Sequence, residues 1–171
     1  MTEGARAGDK ARVSVLVRVP PADAFDVFTR EIDLWWKQGP KFRIAGRRRG
    51  QLNFEGGVGG RMFESFAATE GSSVERTFDV GRITVWDPPV RLEFEWRGVN
   101  FAPSEKTIVE VRFDPSPSGT WVTVEHRGWS ALPDDHPVRH GVAGAAFAGG
   151  MGRWWGELLS SLREHVLSRA G

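Results

Sequence analysis

Two ionisable side chains fall where strand parity turns them toward apolar neighbours, Glu64 and His126. In the run Arg61 to Ala67, Met62 and Phe66 share the face of Glu64 while Phe63 takes the other. A carboxyl group in such surroundings has its pKa raised and can exchange a proton near neutrality. Its structural alternative is a carboxylate at a cavity mouth or hydrogen-bonded within the wall. His126 shares its parity with Val122 and Val124 and is either a satisfied core histidine or a ligand contact or base. Together the two would form a polar pair able to orient a ligand.

Other constellations carry less. Asp134, Asp135, His136 and His140 have the Asp-His-x3-His spacing of a divalent-metal site. Pro137 interrupts that spacing and no further ligand is evident, so a loop and helix N-cap is the expectation and no metal is assigned. Gly56-Gly57-Val58-Gly59-Gly60 lacks the Lys and following helix of a phosphate loop and the spacing of a dinucleotide fingerprint, which leaves a hairpin turn. Arg47-Arg48-Arg49 reads as a solvated loop. Cysteine and tyrosine are absent, and no Ser-His-Asp arrangement is supported by spacing. No catalytic residue and no cofactor are therefore assigned.

Val13, Val15, Val17 and Val19 alternate with Ser14, Leu16 and Arg18, a strand with one buried face that ends at Pro20-Pro21. A short helix follows with Phe25, Val27 and Phe28 on one side, then a second carrying Ile32, Trp35 and Trp36. Short strands are expected at Phe42 to Ala45, Gln51 to Glu55 and Arg61 to Ala67. A four-residue loop Asp87-Pro88-Pro89-Val90 pairs Trp86 with Arg91, Val85 with Leu92 and Ile83 with Phe94. Phe78 and Val80 have the opposite parity from Ile83, so Gly81 marks a bulge or bend. Pairing Phe113 with Thr120 sets Val111 opposite Val122, Val109 opposite Val124 and Thr107 opposite His126, and turns Trp121 to the other face.

A helix is expected from about Pro137 or Val138 to Ser168, continuous from near 140, with Met151, Trp155, Leu158, Leu162 and His165 or Val166 as its core stripe. Six glycines lie between Gly141 and Gly156. Each inside a helix costs about 1 kcal/mol relative to Ala, so close approach of the sheet or a ligand, a kink, or a later helix start is needed. Strand, two short helices, meander and long helix contain no βαβ alternation.

The order resembles the START-like (Bet v 1-like, SRPBCC) superfamily, and its local phrases are similar to the Hsp90 ATPase activator homologue (AHSA1-like) branch. They are Leu34-Trp35-Trp36, Gly59 to Glu64, Gly81 to Trp96 (GRITVWDPPVRLEFEW), Gly119 to Trp129 and Trp154 to Leu159, spread over roughly Arg12 to Val166. The resemblance implies an α+β helix-grip fold, a curved antiparallel sheet of six or seven strands wrapped around a long C-terminal helix. It also implies an internal, often hydrophobic cavity. Roles in the superfamily range from lipid, hormone or polyketide binding to cyclisation or hydrolysis. The activator that names the branch has a separate N-terminal domain for its chaperone, for which this sequence has no room.

Residues 1–10 are expected to form a flexible tail and 11–168 a single domain. The expected cavity walls are Trp35, Trp36, Phe66, Phe94, Trp96, Val109, Val111, Val124, Met151, Trp155 and Leu158, with Glu64 and His126 as polar points. Non-catalytic binding of a hydrophobic or aromatic small molecule is the leading expectation. A protein-interaction module with a homodimer or chaperone contact, and a small cyclase or hydrolase, are the alternatives. Lys and Arg total 23 against 22 acids, which gives no field for nucleic acid. No run approaches the roughly 20 apolar residues of a membrane span, and the polar N-terminus lacks a signal peptide's apolar core. A cytoplasmic location fits these features and the lack of cysteine.

Overall fold

The computed structural model describes residues 9–43, 50–66, 76–98, 101–133, 135–139, 141–142 and 144–169. Seven strands form one antiparallel sheet in the order β1-β7-β6-β5-β4-β3-β2. They are β1 (Lys10–Val17), β2 (Gln51–Phe54), β3 (Arg61–Phe66), β4 (Arg76–Asp87), β5 (Arg91–Trp96), β6 (Thr107–Ser116) and β7 (Gly119–Arg127). Two helices, α1 (Pro21–Arg30) and α2 (Ile32–Trp35), join β1 to the far edge, and α3 (Gly144–Arg169) follows β7. Pro21 opens α1, where its missing N–H is no loss. The α3 stripe Trp155, Leu158, Leu159, Leu162 and Val166 is buried in one core with Phe94, Val109, Val111 and Val124. This is the expected helix-grip architecture.

Two details of register and one helix boundary differ from the sequence reading. The β4–β5 loop has three residues, because Asp87 pairs with Arg91 and Trp86 with Leu92 rather than with Arg91. Val85 therefore faces Glu93, and Trp86 turns inward to meet Phe25 edge-on at 5.1 Å. Ile83 still pairs with Phe94, since a register shift between Ile83 and Val85 absorbs the extra residue. The β6–β7 hairpin is slipped by two residues, with Val111 opposite Val124, Phe113 opposite Val122 and Val109 opposite His126. A slip of two preserves parity, so every inward residue stays inward.

The third difference is the start of α3. The expected helix from about residue 140 begins at Gly144, after a 3₁₀ turn Pro137–Arg139. Gly141 and Gly144 have φ of 80° and 64°, left-handed values that glycine adopts without penalty. No sheet backbone crowds the helical glycines: a Cβ on Gly152 or Gly156 would meet nothing within 4 Å. Phe42 lies in a turn rather than a strand, and residues 44–49, with the arginine run, lie outside the described residues. Near the N-terminus Lys10 pairs with Arg127, and the Asp9 carboxylate accepts from the Ser130 N–H and hydroxyl.

Gly81 lies beside the bulge that the parity switch demanded. Met62 pairs with Gly81 and Phe63 with Asp79, leaving Val80 as the extra residue of β4. A side chain on Gly81 would overlap the Glu95 carbonyl of the neighbouring strand. Gly81→Ala is expected to lower stability by about 3 kcal/mol, the upper end for forced overpacking. Urea unfolding measures it; a loss below the roughly 1 kcal/mol expected of an unstrained change would mean that the strands separate freely there.

Candidate ligand cleft

His126 on β7 is fully buried among rings, 4.6 Å from Trp129 and 5.3 Å from Trp96 between centroids. The Trp155 indole N–H donates to its Nδ1 at 3.0 Å, so Nε2 carries the proton. Nε2 then donates to Thr107 Oγ1 at 2.7 Å, and Thr107 donates to the Trp96 carbonyl at 3.1 Å. Every polar atom in this chain has a partner. Burial pushes the imidazole pKa down to about 3, favouring the neutral form. With its one lone pair held by Trp155, His126 has no site left to accept a substrate proton.

Glu64 is buried on β3 between Met62 and Phe66, on the face the sequence indicated. Gly50 closes over it: a Cβ there would stand 2.7 Å from Glu64 Cγ and 2.6 Å from Phe66 Cε1. Both ring nitrogens of His126 are engaged elsewhere, so the two do not form a hydrogen-bonded pair. His136 Nε2 bonds Glu105 at 2.9 Å and its Nδ1 accepts the Val138 N–H at 3.1 Å, a local brace for the 3₁₀ turn. Asp134 and His140 lie outside the described residues. Gly56 to Gly60 is the β2–β3 turn, with left-handed Gly57 and Gly59. Trp121 is 45% exposed on the outer face of β7.

The space gripped between the middle of α3 and the sheet is filled. Phe94, Val109, Val111, Val124, Trp155 and Leu158 are fully buried against one another, and Trp35 and Trp36 join the same core. An open cleft of about 640 Å³ lies instead at the N-terminal half of α3, within the roughly 300–1,000 Å³ of small-molecule sites. Residues 40–43 form one wall and α3 from Ala146 to Glu157 the other, with Trp96, Trp129, Val138 and Arg139 between them. Of the expected wall residues, Trp96 and Met151 line it.

Tryptophan N–H groups fix this geometry. Trp36 at the end of α2 donates to the Phe42 carbonyl at 2.9 Å, and Trp154 donates to the Lys41 carbonyl at 2.8 Å, tying the loop to α2 and to α3. Phe42 stacks on Trp154 with 5.8 Å between centroids and 25° between planes. Phe147 meets Trp129 edge-on at 4.9 Å. The Lys41 ammonium bonds Glu157 at 2.9 Å, which holds that carboxyl below its usual range. Phe42, Trp129, Arg139, Phe147, Arg153 and Trp154 were not singled out as walls by the sequence reading. A second helical stripe, Phe147, Gly150, Met151 and Trp154, repeats at three and four residues and was the available signal.

Residues 18–166 match a family model described as Activator of Hsp90 ATPase homolog 1-like protein. No curated protein matches the chain. Solved structures share the fold at low identity. A crystal structure of a Mesorhizobium loti protein is 18% identical with a TM-score of 0.63, over 95% of this chain and 98% of that one. A Nitrosomonas europaea protein is 17% identical with a TM-score of 0.61, over 96% and 97% of the two chains. The solution structure of an AHSA1-like protein from Aeromonas hydrophila is 18% identical with a TM-score of 0.61, over 94% of each.

Proposed function

This chain belongs to the Activator of Hsp90 ATPase homolog 1-like family, and from that premise we propose that it binds an apolar or aromatic small molecule, without turning it over, in the cleft beside the first half of α3. The carrying observation is the set of five rings (Phe42, Trp96, Trp129, Phe147, Trp154) around an opening of about 640 Å³. Aromatic walls with a few convergent polar groups are the usual make-up of a ligand site. The engaged state of His126 speaks for holding a ligand rather than transforming it.

The neutral dye N-phenyl-1-naphthylamine tests this reading. Its fluorescence should rise saturably on titration with the protein, and the intrinsic Trp emission should change with it. Ala146→Trp fills the cleft from an exposed position of α3 and should weaken dye binding at least about tenfold, a loss near 1.4 kcal/mol. A linear, unsaturable signal, or equal binding by the variant, would place the ligand elsewhere or remove it.

A further inference from the structure

We propose that the ligand of this cleft is an apolar carboxylic acid, its carboxylate held by Arg139 with Arg153 as a second cation. The inference rests on the cleft reading and adds a charge to the ligand.

Arg139 is only 4% exposed. Its Nε donates to the Pro133 carbonyl at 2.9 Å, and its Nη2 donates to those of Trp129 at 2.6 Å and Leu132 at 3.1 Å. The guanidinium carbon lies 5.0 Å from the centroid of the Phe147 ring. Three of its five N–H donors are thereby used, and the Nη1 pair has no acceptor among the described residues. No carboxylate among the described residues pairs with this guanidinium. A charge withdrawn this far from water ordinarily has a counter-ion, and the same cleft supplies the comparison. Arg43, equally buried, donates to Asp33 Oδ1 at 2.7 Å as well as to backbone carbonyls.

The remaining charges leave the cleft one-sided. Lys41 and Glu157 neutralise each other. Arg153 has no ion-pair partner among the described residues, and its guanidinium lies back over the glycines of α3, where a Cβ on Gly149 would sit 3.6 Å from Nη1 and one on Gly150 3.8 Å from Nη2. Among the described residues, two cations without an ion-pair partner and no such acid line an opening otherwise walled by rings and small apolar residues. Trp129 adds a buried indole N–H that has no acceptor among the described residues. A planar guanidinium with a free edge suits a carboxylate, and such charge-assisted bonds are about twice as strong as neutral ones. Rings on the adjoining wall suit an apolar body attached to that head.

The test compares 1-naphthylacetate with 1-naphthylacetamide, equal in shape and different in charge, by isothermal titration calorimetry on the full chain. The acid should bind at least about tenfold more tightly, and Arg139→Gln should bring the ratio to within about twofold. Equal affinities in the wild type overturn the anionic ligand and leave the cleft reading standing; no binding of either compound overturns both. If circular dichroism shows Arg139→Gln unfolded, Arg153→Gln at its exposed position decides the matter. A ratio lowered at least about threefold supports the proposal, and an unaltered ratio overturns it.

Discussion

Replacing Trp155 by alanine is expected to destabilise the protein by about 5 kcal/mol, a large part of the roughly 5–15 kcal/mol that holds a domain of this size together. Two effects combine. Trp155 is fully buried and meets Trp36 at 5.5 Å and Trp154 at 5.2 Å, both edge-on. Truncating such a ring removes about 3–5 kcal/mol through lost transfer energy and the cavity left behind. The second effect is at His126, whose Nδ1 loses its donor while the ring is fully buried, adding about 1–3 kcal/mol. The two share a pocket and will not sum in full. Urea unfolding measures the total, and Trp155→Phe separates the parts by keeping most of the ring while deleting the N–H. That variant should lose about 2 kcal/mol. If it is as stable as wild type, the indole–imidazole bond contributes nothing net and the role of Trp155 is packing alone.

The same residues show how far the sequence carried. Alternation of apolar and polar residues placed His126 on the inward face even though its assumed cross-strand partner was wrong, because a two-residue slip keeps parity. The β4–β5 hairpin survived a one-residue error only at Ile83 and Phe94, where a bulge restores the count. Strand parity is thus robust, while loop length, which depends on turn geometry, is not readable from composition. The start of α3 was misplaced for a related reason. Gly141 and Gly144 serve as left-handed turn residues, and a glycine in a turn has the same letter as one in a helix.

The cleft was harder to see than the fold. Burial pattern identifies residues that face inward, and a cavity needs inward residues that fail to meet. Val109, Val111, Val124 and Trp155 do meet, and close the centre. The opening arises where α3 extends beyond the core stripe and its second stripe splits, Phe147 and Met151 packing toward Trp129 and Trp154 toward the loop at residues 40–43. That loop is positioned by indole N–H bonds to backbone carbonyls, contacts between segments more than 100 residues apart in the case of Trp154 and Lys41. No local pattern encodes such a pairing. Arg139 is a sharper case: its burial follows from three carbonyl acceptors of the turns around it, and no sequence pattern near the expected helix start marks it for such contacts.

Lowering the pH from 7 to 5 is expected to cost the native state about 2 kcal/mol through His126 alone. The folded pKa is pushed down to about 3 by burial, from 6.5 for the free side chain. Between those values the unfolded chain binds a proton that the folded chain refuses, so stability rises with pH across the window. The contribution of the neutral imidazole is complete above pH 6.5. It falls by about 1.4 kcal/mol per unit on acidification and levels off below pH 3, at a total on the order of 5 kcal/mol. Glu157 is held low by its hydrogen bond to Lys41, so its own loss begins below 4.5 and lies outside the upper part of this window. His126→Gln keeps an acceptor for Trp155 and a donor for Thr107 without a titrating group. Its urea-unfolding free energy should change about 2 kcal/mol less between pH 7 and 5 than that of wild type, since every other titrating group is common to the two proteins. Parallel curves for the two proteins would show that His126 takes up its proton in the folded state. The imidazole would then be available as a base, and a catalytic reading of the aromatic end of this fold would displace the binding one.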